Sequence, residues 1–506
     1  MEDGQPPVAA AAYRAALPPG ELLDFAITGL DRIAVPTWSV TFWPDALPTA
    51  GGHGYGTTDG EALTSAYGEL SEVVHASAAT RRLPRRRSSY RELLAEVGAR
   101  GVIDPVALCL EAGSHYTPDL PLEWVAIRRW GTDEPVLVPI EFVAFQGADI
   151  GAPPSEGWLI TPITNGLGAG PTLDHAFGHG LLELLQRDGN SVNFRALARD
   201  TTIDLAGVTD PETRELLARL DAAGVEVLVK VAATDFGLAD LYVVGADRDP
   251  DAGDPLMAAA CGEAAHPDRE VALRKALLEF AAARVRLAFT HGPLGPVERA
   301  APERYLEVYT RRHTLAGEEK RALDAMLAWT ARPNRELRAA LADTILAQGR
   351  STPFTALPTL DAPLPDRAAL TALTVERLTT AGFDLLYADF SPPAAPAVRV
   401  VKAIVPGLEV ETMSYYRLGA RNLRRLLDRA AEPGEERARG LVGLDDPPPG
   451  ARPILLTAAG RAEFGDRAWL DPAAIDRLVG PLYALYREPN RHSAALARGR
   501  AGEMVG

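Results

Sequence analysis

Gly51-Gly52-His53-Gly54-Tyr55-Gly56 and Asn165-Gly166-Leu167-Gly168-Ala169-Gly170 are two glycine-rich runs, and each leads into a stretch with helical spacing. The first is followed by Ser65, Glu69 and Glu72, the second by Glu183, Gln186 and Arg187. Glu69 lies 13 positions after Gly56 (69 − 56), and Glu183 lies 13 after Gly170 (183 − 170). Read as loops, such runs let a backbone approach a phosphate, and the helix N-terminus behind each offers unpaired N–H groups and a positive dipole end. Carboxylates three residues apart share a helix face, where hard oxygens hold Mg²⁺. The pairing predicts a nucleotide–metal site that is not a P-loop.

Working outward, residues 1–24 begin with an Ala/Pro-rich stretch and read as a loosely attached segment. Ile33 to Trp43 is β-branched and aromatic and reads as a strand with Pro36 near its start. Thr58 with Glu61 three positions on resembles a capping box opening a helix over Glu61–Ser77. Strands are expected at 122–129, 135–144, Val225–Ala233, Asp240–Gly245 and Val398–Val405, and helices at Asp174–Asp188 and Glu212–Ala223. A third unit begins at Gly262, where His266-Pro267-Asp268 sets a helix start that carries Glu279 and Arg284. Segments 286–303, 351–367 and 391–397 read as Pro/Gly-punctuated connectors, and Asp445–Gly450 as a linker to the terminal segment. Helices alternating with strands predict a mixed α/β architecture.

The bulk numbers narrow the class. At 506 residues, two to four lobes are expected. A net charge of −16 argues against a dedicated nucleic-acid binder, which needs a basic footprint. Only Cys109 and Cys261 are present, too few for a disulfide framework, and a reducing compartment is the natural home. Met1-Glu2-Asp3-Gly4 shows no secretory signal, and no apolar run reaches the roughly 20 residues of a membrane helix. A cytoplasmic protein without membrane contact is expected.

Each constellation has a plainer reading beside the functional one. Ser65, Glu69 and Glu72 line one helix stripe opposite an apolar face, which suits Mg²⁺ and equally suits a solvated surface. His175, His179 and Glu183 share a stripe as well; they read either as transition-metal ligands of a metallohydrolase or as surface and packing residues. Arg187 and Arg284 are either phosphate clamps or structural partners of nearby acids. The basic run Arg81–Arg87 is a solvated loop or a patch for an acidic peptide.

Taken in order, these pieces resemble the YcaO family. The resemblance rests on Thr28–Pro36, Ser65-x3-Glu69-x2-Glu72, Asn165–Gly170, Leu181–Asp188, Gly262–Ala265, Ala276–Glu279 and Val400–Glu409, and it spans about residues 25–420. It implies a catalytic domain over 25–420 followed by a C-terminal extension or capping subdomain over 421–506. It further implies an ATP- and Mg²⁺-dependent enzyme that activates backbone amides of a ribosomally made precursor peptide, with cyclodehydration of Cys, Ser or Thr to an azoline as the leading outcome. A thioamide- or amidine-forming member, or a non-catalytic scaffold that binds the peptide, is the alternative. Such enzymes work with a leader-binding partner, and a homodimer is a further expectation. By position, Glu69, Glu72, Glu183 and Gln186 match the metal-binding set, and Ser65, Asn165, Arg187, Glu279 and Arg284 match the nucleotide set. The chain departs from the family pattern at Val73 (usually Arg), at Gln186 (an acid) and at Ala282 (an amide side chain), and it lacks a proline-alternating terminus.

Overall fold

Three strand-to-capped-helix units carry the acids in the computed structural model, which describes residues 7–155, 157–191, 197, 201–251, 253–410 and 416–505. Strand Ala50–Tyr55 precedes Thr58, whose hydroxyl accepts from the Glu61 amide and opens the first acid helix, Asp59–Thr80. Strand Leu167–Gly170 precedes Thr172, which accepts from the His175 amide and opens the second, Leu173–Asn190. Strand Ala260–His266 precedes Asp268, which accepts from the Glu270 amide and opens the third, Arg269–His291. Each cap satisfies a first-turn N–H that the helix itself cannot.

The two glycine-rich runs expected as loops are therefore largely strand. Their glycines serve the helix lying across them. A Cβ on Gly54 would stand 2.0 Å from both Ala62 O and Ala66 N. On Gly168 it would meet Ala176 O at 2.1 Å, and on Gly262 both Ala276 O and Phe280 N at 2.2 Å. In all three units helix backbone rests on strand backbone.

The first strand belongs to a three-stranded antiparallel sheet with Gly20–Ala26 and Thr37–Pro44. The second is the edge of a six-stranded sheet whose neighbours are Arg399–Ile404, Leu386–Asp389, Pro121–Arg129 and Arg86–Ser89, with Pro135–Pro139 also paired to Pro121–Arg129. The third is the edge of a five-stranded sheet continuing through Ala239–Asp247, Val225–Ala233 and Thr201–Asp204 to Arg350–Pro353, the last pair parallel. The first acid helix packs into the core of the six-stranded sheet and the third into that of the five-stranded sheet. The mixed α/β expectation holds.

Several local readings change. The strand expected from Ile33 starts at Thr37, because Ala34 takes a left-handed φ of 57°. The strand expected over 135–144 stops at Pro139, after which Ile140–Val143 forms a buried helical turn. The 286–303 connector is mostly helix: the third acid helix continues to His291 and Leu294–Ala300 forms another. Asp445–Gly450 joins Val442–Gly443 to Arg452–Pro453 within one small sheet. In the basic run Arg81 pairs with Asp149, Arg85 with Glu123 and Arg86 with Glu96, while Arg82 and Arg87 are exposed. Among the described residues no helix is long and apolar enough to cross a membrane.

Candidate active site

The close approach of helix to strand puts one glutamate of each helix within reach of its own strand's backbone. Glu69 Oε2 accepts from the His53 N–H at 2.6 Å, and Glu183 Oε2 accepts from the Gly166 N–H at 3.0 Å. Glu279 accepts from the Glu263 N–H in the third unit. The geometry repeats because the architecture does. Glu72 ties two units together, accepting from the Ala169 N–H of the second strand at 2.9 Å.

These acids share one cleft. Glu69 stays solvent-reached although protein surrounds it densely, and Glu72 and Glu183 are half-buried. Burial pushes the Glu72 carboxyl well above the usual carboxylate range, and the neighbouring charges of Glu183 and Glu69 push the same way. Glu69 and Glu183 are raised by burial too, against the pull of the His53 N–H and of Arg187 respectively. Glu279 is pushed up to about 7 by burial and by Glu263. Desolvated like charges repel, so gathering these carboxylates costs free energy that a bound cation would offset. Among the described residues no three His, Cys, Asp or Glu side chains form a ready cage for a metal. Mg²⁺ needs none: it keeps several waters and binds one or two carboxylates plus phosphate oxygens. The donor set fits that ion.

The other expected residues divide. Ser65 lies one turn before Glu69 on the same stripe and is exposed; Asn165 is buried immediately before Gly166. The Gln186 side-chain amide and Arg187 Nη1 both donate to Glu263 Oε2 at 3.4 Å, and Tyr55 OH donates to Glu279 Oε2 at 3.4 Å. Arg284 is not brought to the cleft. Its side chain is fully buried, donating to Asp31 Oδ2 at 2.9 Å and pairing with Asp247 at 2.9 Å, so its fork is spent on the core. The hydrolase reading has no completed ligand set: His179 Nε2 stands 3.9 Å from Glu72 Oε1, while His175 packs its ring against Gly170.

Three cleft residues escaped the sequence reading. Lys275 lies one turn before Glu279, makes no hydrogen bond or ion pair among the described residues, and has its pKa lowered by burial and by Arg367. Its i, i+4 relation to Glu279 was a readable signal. Lys402 donates to Ala144 O at 2.8 Å and Ile163 O at 2.7 Å beside Glu183, and burial lowers it to about 7. Arg286 follows Glu279 at i+7, on the same face, whereas Arg284 at i+5 turns away.

Known proteins share this plan. In structure the chain resembles YcaO from Methanopyrus kandleri bound with AMPPCP and Mg²⁺, with a TM-score of 0.54 and 20% identity over 81% of this chain and 91% of that one. It also resembles a heterocyclase in complex with substrate and cofactor, with a TM-score of 0.57 and 17% identity over 80% of this chain; it spans about half (52%) of that heterocyclase's length. In sequence it is 29% identical over 406 residues to an uncharacterized protein of Methanothermobacter thermautotrophicus, covering 78% of this chain and 91% of the relative. It is 26% identical over 409 residues to an uncharacterized protein in the tfuA 3′ region of Rhizobium leguminosarum bv. trifolii, covering 78% and 85%. A family model described as YcaO cyclodehydratase, ATP- and Mg²⁺-binding, matches residues 53–409, a span that begins at the residue whose amide holds Glu69. The matched span takes in the acid helices of all three units, and the chain belongs to the YcaO family, whose members bind ATP and Mg²⁺.

Proposed function

We propose that the chain activates backbone amides of a ribosomally made peptide with ATP and Mg²⁺, leading to azoline formation from Cys, Ser or Thr. The observation that carries this reading is the convergence of Glu69, Glu72 and Glu183, each held by a backbone N–H of the glycine-rich runs. In this reading those three carboxylates hold Mg²⁺, with the carbonyl of Gln186 beside them because its amide nitrogen is turned to Glu263. Bound there, the metal neutralises triphosphate charge. Ser65 and Asn165 orient the nucleotide, and Arg187 and Lys275 place positive charge against its phosphates. Glu279 is kept protonated longer than an ordinary carboxyl and is suited to a neutral hydrogen-bond role. In azoline formation the peptide's own side chain adds to the amide carbon and gives up its proton, and the amide oxygen takes the γ-phosphoryl group of ATP with ADP as leaving group. The carbon–oxygen bond then breaks to release phosphate as the nitrogen loses its proton and the C=N bond forms. Residues 25–420 form the catalytic part in this reading, 421–506 cover it, and a separate leader-binding protein presents the peptide.

The test is phosphate release from Mg·ATP in the presence of a Cys-containing precursor, followed by intact mass of the peptide. Azoline formation shows as loss of one water per ring. Exchange of oxygen for sulfur instead assigns the thioamide alternative. Peptide binding with no phosphate released in any partner combination leaves only the scaffold.

A further inference from the structure

Residues 488–493 lie outside the matched family region, yet they fold back against the third acid helix and the first glycine strand. Glu488 takes the Arg286 fork with both oxygens, at 2.6 and 2.9 Å, and Oε2 also meets His291 Nε2 at 2.9 Å. Arg286 shares a helix face with Glu279, and its charge acts on both Glu69 and Glu279. Three positions on, Arg491 donates to Thr41 Oγ1 at 2.5 Å, meets His53 Nε2 at 2.9 Å and stacks 5.1 Å from the Phe289 ring. It is the His53 backbone N–H that holds Glu69. The segment is anchored at its far end, where the His492 N–H donates to Thr290 O at 2.7 Å and its Nε2 meets Tyr305 OH at 2.9 Å.

An arginine facing metal-binding carboxylates competes with the metal unless something else occupies it. Glu488 occupies it. We propose that residues 488–491 are a positioning element of the acid cleft: Glu488 holds Arg286 off Glu69 and Glu279, and Arg491 locks the strand that aims Glu69 at the metal. This rests on the Mg²⁺–nucleotide reading given above. Neither residue touches substrate in it; both act through Glu69.

The experiment is titration of Mg²⁺ into full-length protein with AMPPCP, read by calorimetry. Glu488→Gln frees Arg286 to pair with the acids and raises the half-saturating Mg²⁺ concentration about tenfold. Glu488→Gln combined with Arg286→Gln returns it to within about twofold of wild type, a rescue that a merely structural role does not give. An unchanged Mg²⁺ requirement in Glu488→Gln, or a double variant no better than the single one, overturns the proposal. A second measurement needs no variant: on adding Mg²⁺ and AMPPCP to wild type, hydrogen exchange slows across residues 488–493, and unaltered exchange there overturns the proposal as well. Wild type that binds Mg·AMPPCP, with binding lost in Glu183→Gln but untouched in Glu488→Gln, sinks this inference and leaves the function standing. No binding by wild type sinks the function itself.

Discussion

Glu69 and Glu183 each spend one carboxylate oxygen on a strand N–H and leave the other to the cleft. A glutamine at either position keeps the acceptor and removes the charge. Glu183→Gln is expected to fold, to melt at a higher temperature than wild type without ligand because one repelling charge is gone, and to weaken Mg²⁺-dependent AMPPCP binding by at least about tenfold. Thermal melting and calorimetry on the same sample check both halves. Arg284 behaves oppositely. It is locked between Asp31 and Asp247 with no exposed surface; Arg284→Ala leaves the buried Asp31 carboxylate without its ion-pair partner, while Arg32 still holds Asp247, and costs about 3 kcal/mol in urea unfolding. Protein that remains folded keeps its AMPPCP affinity. Glu141 supplies a pH test away from the cleft: it is buried, accepts from the Leu159 N–H, and burial pushes it up to about 7 from 4.5. A raised acid binds more protons folded than unfolded, so its contribution is fully present below about 4.5 and is lost as pH rises towards 7. Glu141→Gln is expected to match wild type near pH 4.5 and to exceed it by about 3 kcal/mol at pH 8, read from urea unfolding at the two pH values.

At the scale of the element, the strand–helix unit is what the glycines make possible. Gly54→Ala drives a methyl into the backbone of the first acid helix, with no flexible side chain to yield, and is expected to cost about 3 kcal/mol. Gly29→Ala meets nothing within 4 Å and stays within about 0.5 kcal/mol of wild type in the same denaturation series. This explains which parts of the molecule the sequence disclosed. The acids and the helix starts were readable because caps and i, i+3, i+4 spacing are local properties of a few neighbouring residues. The glycine runs were read as loops because glycine punctuates chains far more often than it floors a helix, and only the packed helix reveals the second use. Arg284 and Arg286 differ by two residues, about 200° around the helix, so their phase from Glu279 separates them, whereas their partners Asp31 and Glu488, 253 and 202 positions away, leave no local pattern. Arg491 had no local signal at all, since its partners His53 and Thr41 are 438 and 450 positions distant.

Across the whole molecule, polar joints tie the region after the family core to the rest, and two of them bear on the acid helices. One is the Glu488–Arg286–His291 cluster. The other lies where the closing turn meets the last lobe: Asp188, at the end of the second acid helix, accepts from both terminal nitrogens of Arg421 and from the Glu409 N–H. Glu409 in turn accepts from the N–H groups of Gly419, Arg421 and Asn422. The lobe beyond has its own small core of Leu423, Leu426, Leu441, Ile454, Leu470 and Ile475. A lobe with its own core but joined through a few buried charges unfolds with the rest only while those charges stay paired. Wild type is therefore expected to show one calorimetric transition. Arg421→Ala removes both guanidinium bonds to Asp188, leaving it the Glu409 N–H and Arg425 at 3.9 Å, weakens the joint by about 2–3 kcal/mol, and should split off an earlier, smaller transition for the terminal lobe. Because Asp188 ends the helix that carries Glu183, the same variant is expected to loosen nucleotide binding below that first transition. A single transition in Arg421→Ala, merely shifted down, would mean that apolar contact rather than this joint carries the coupling.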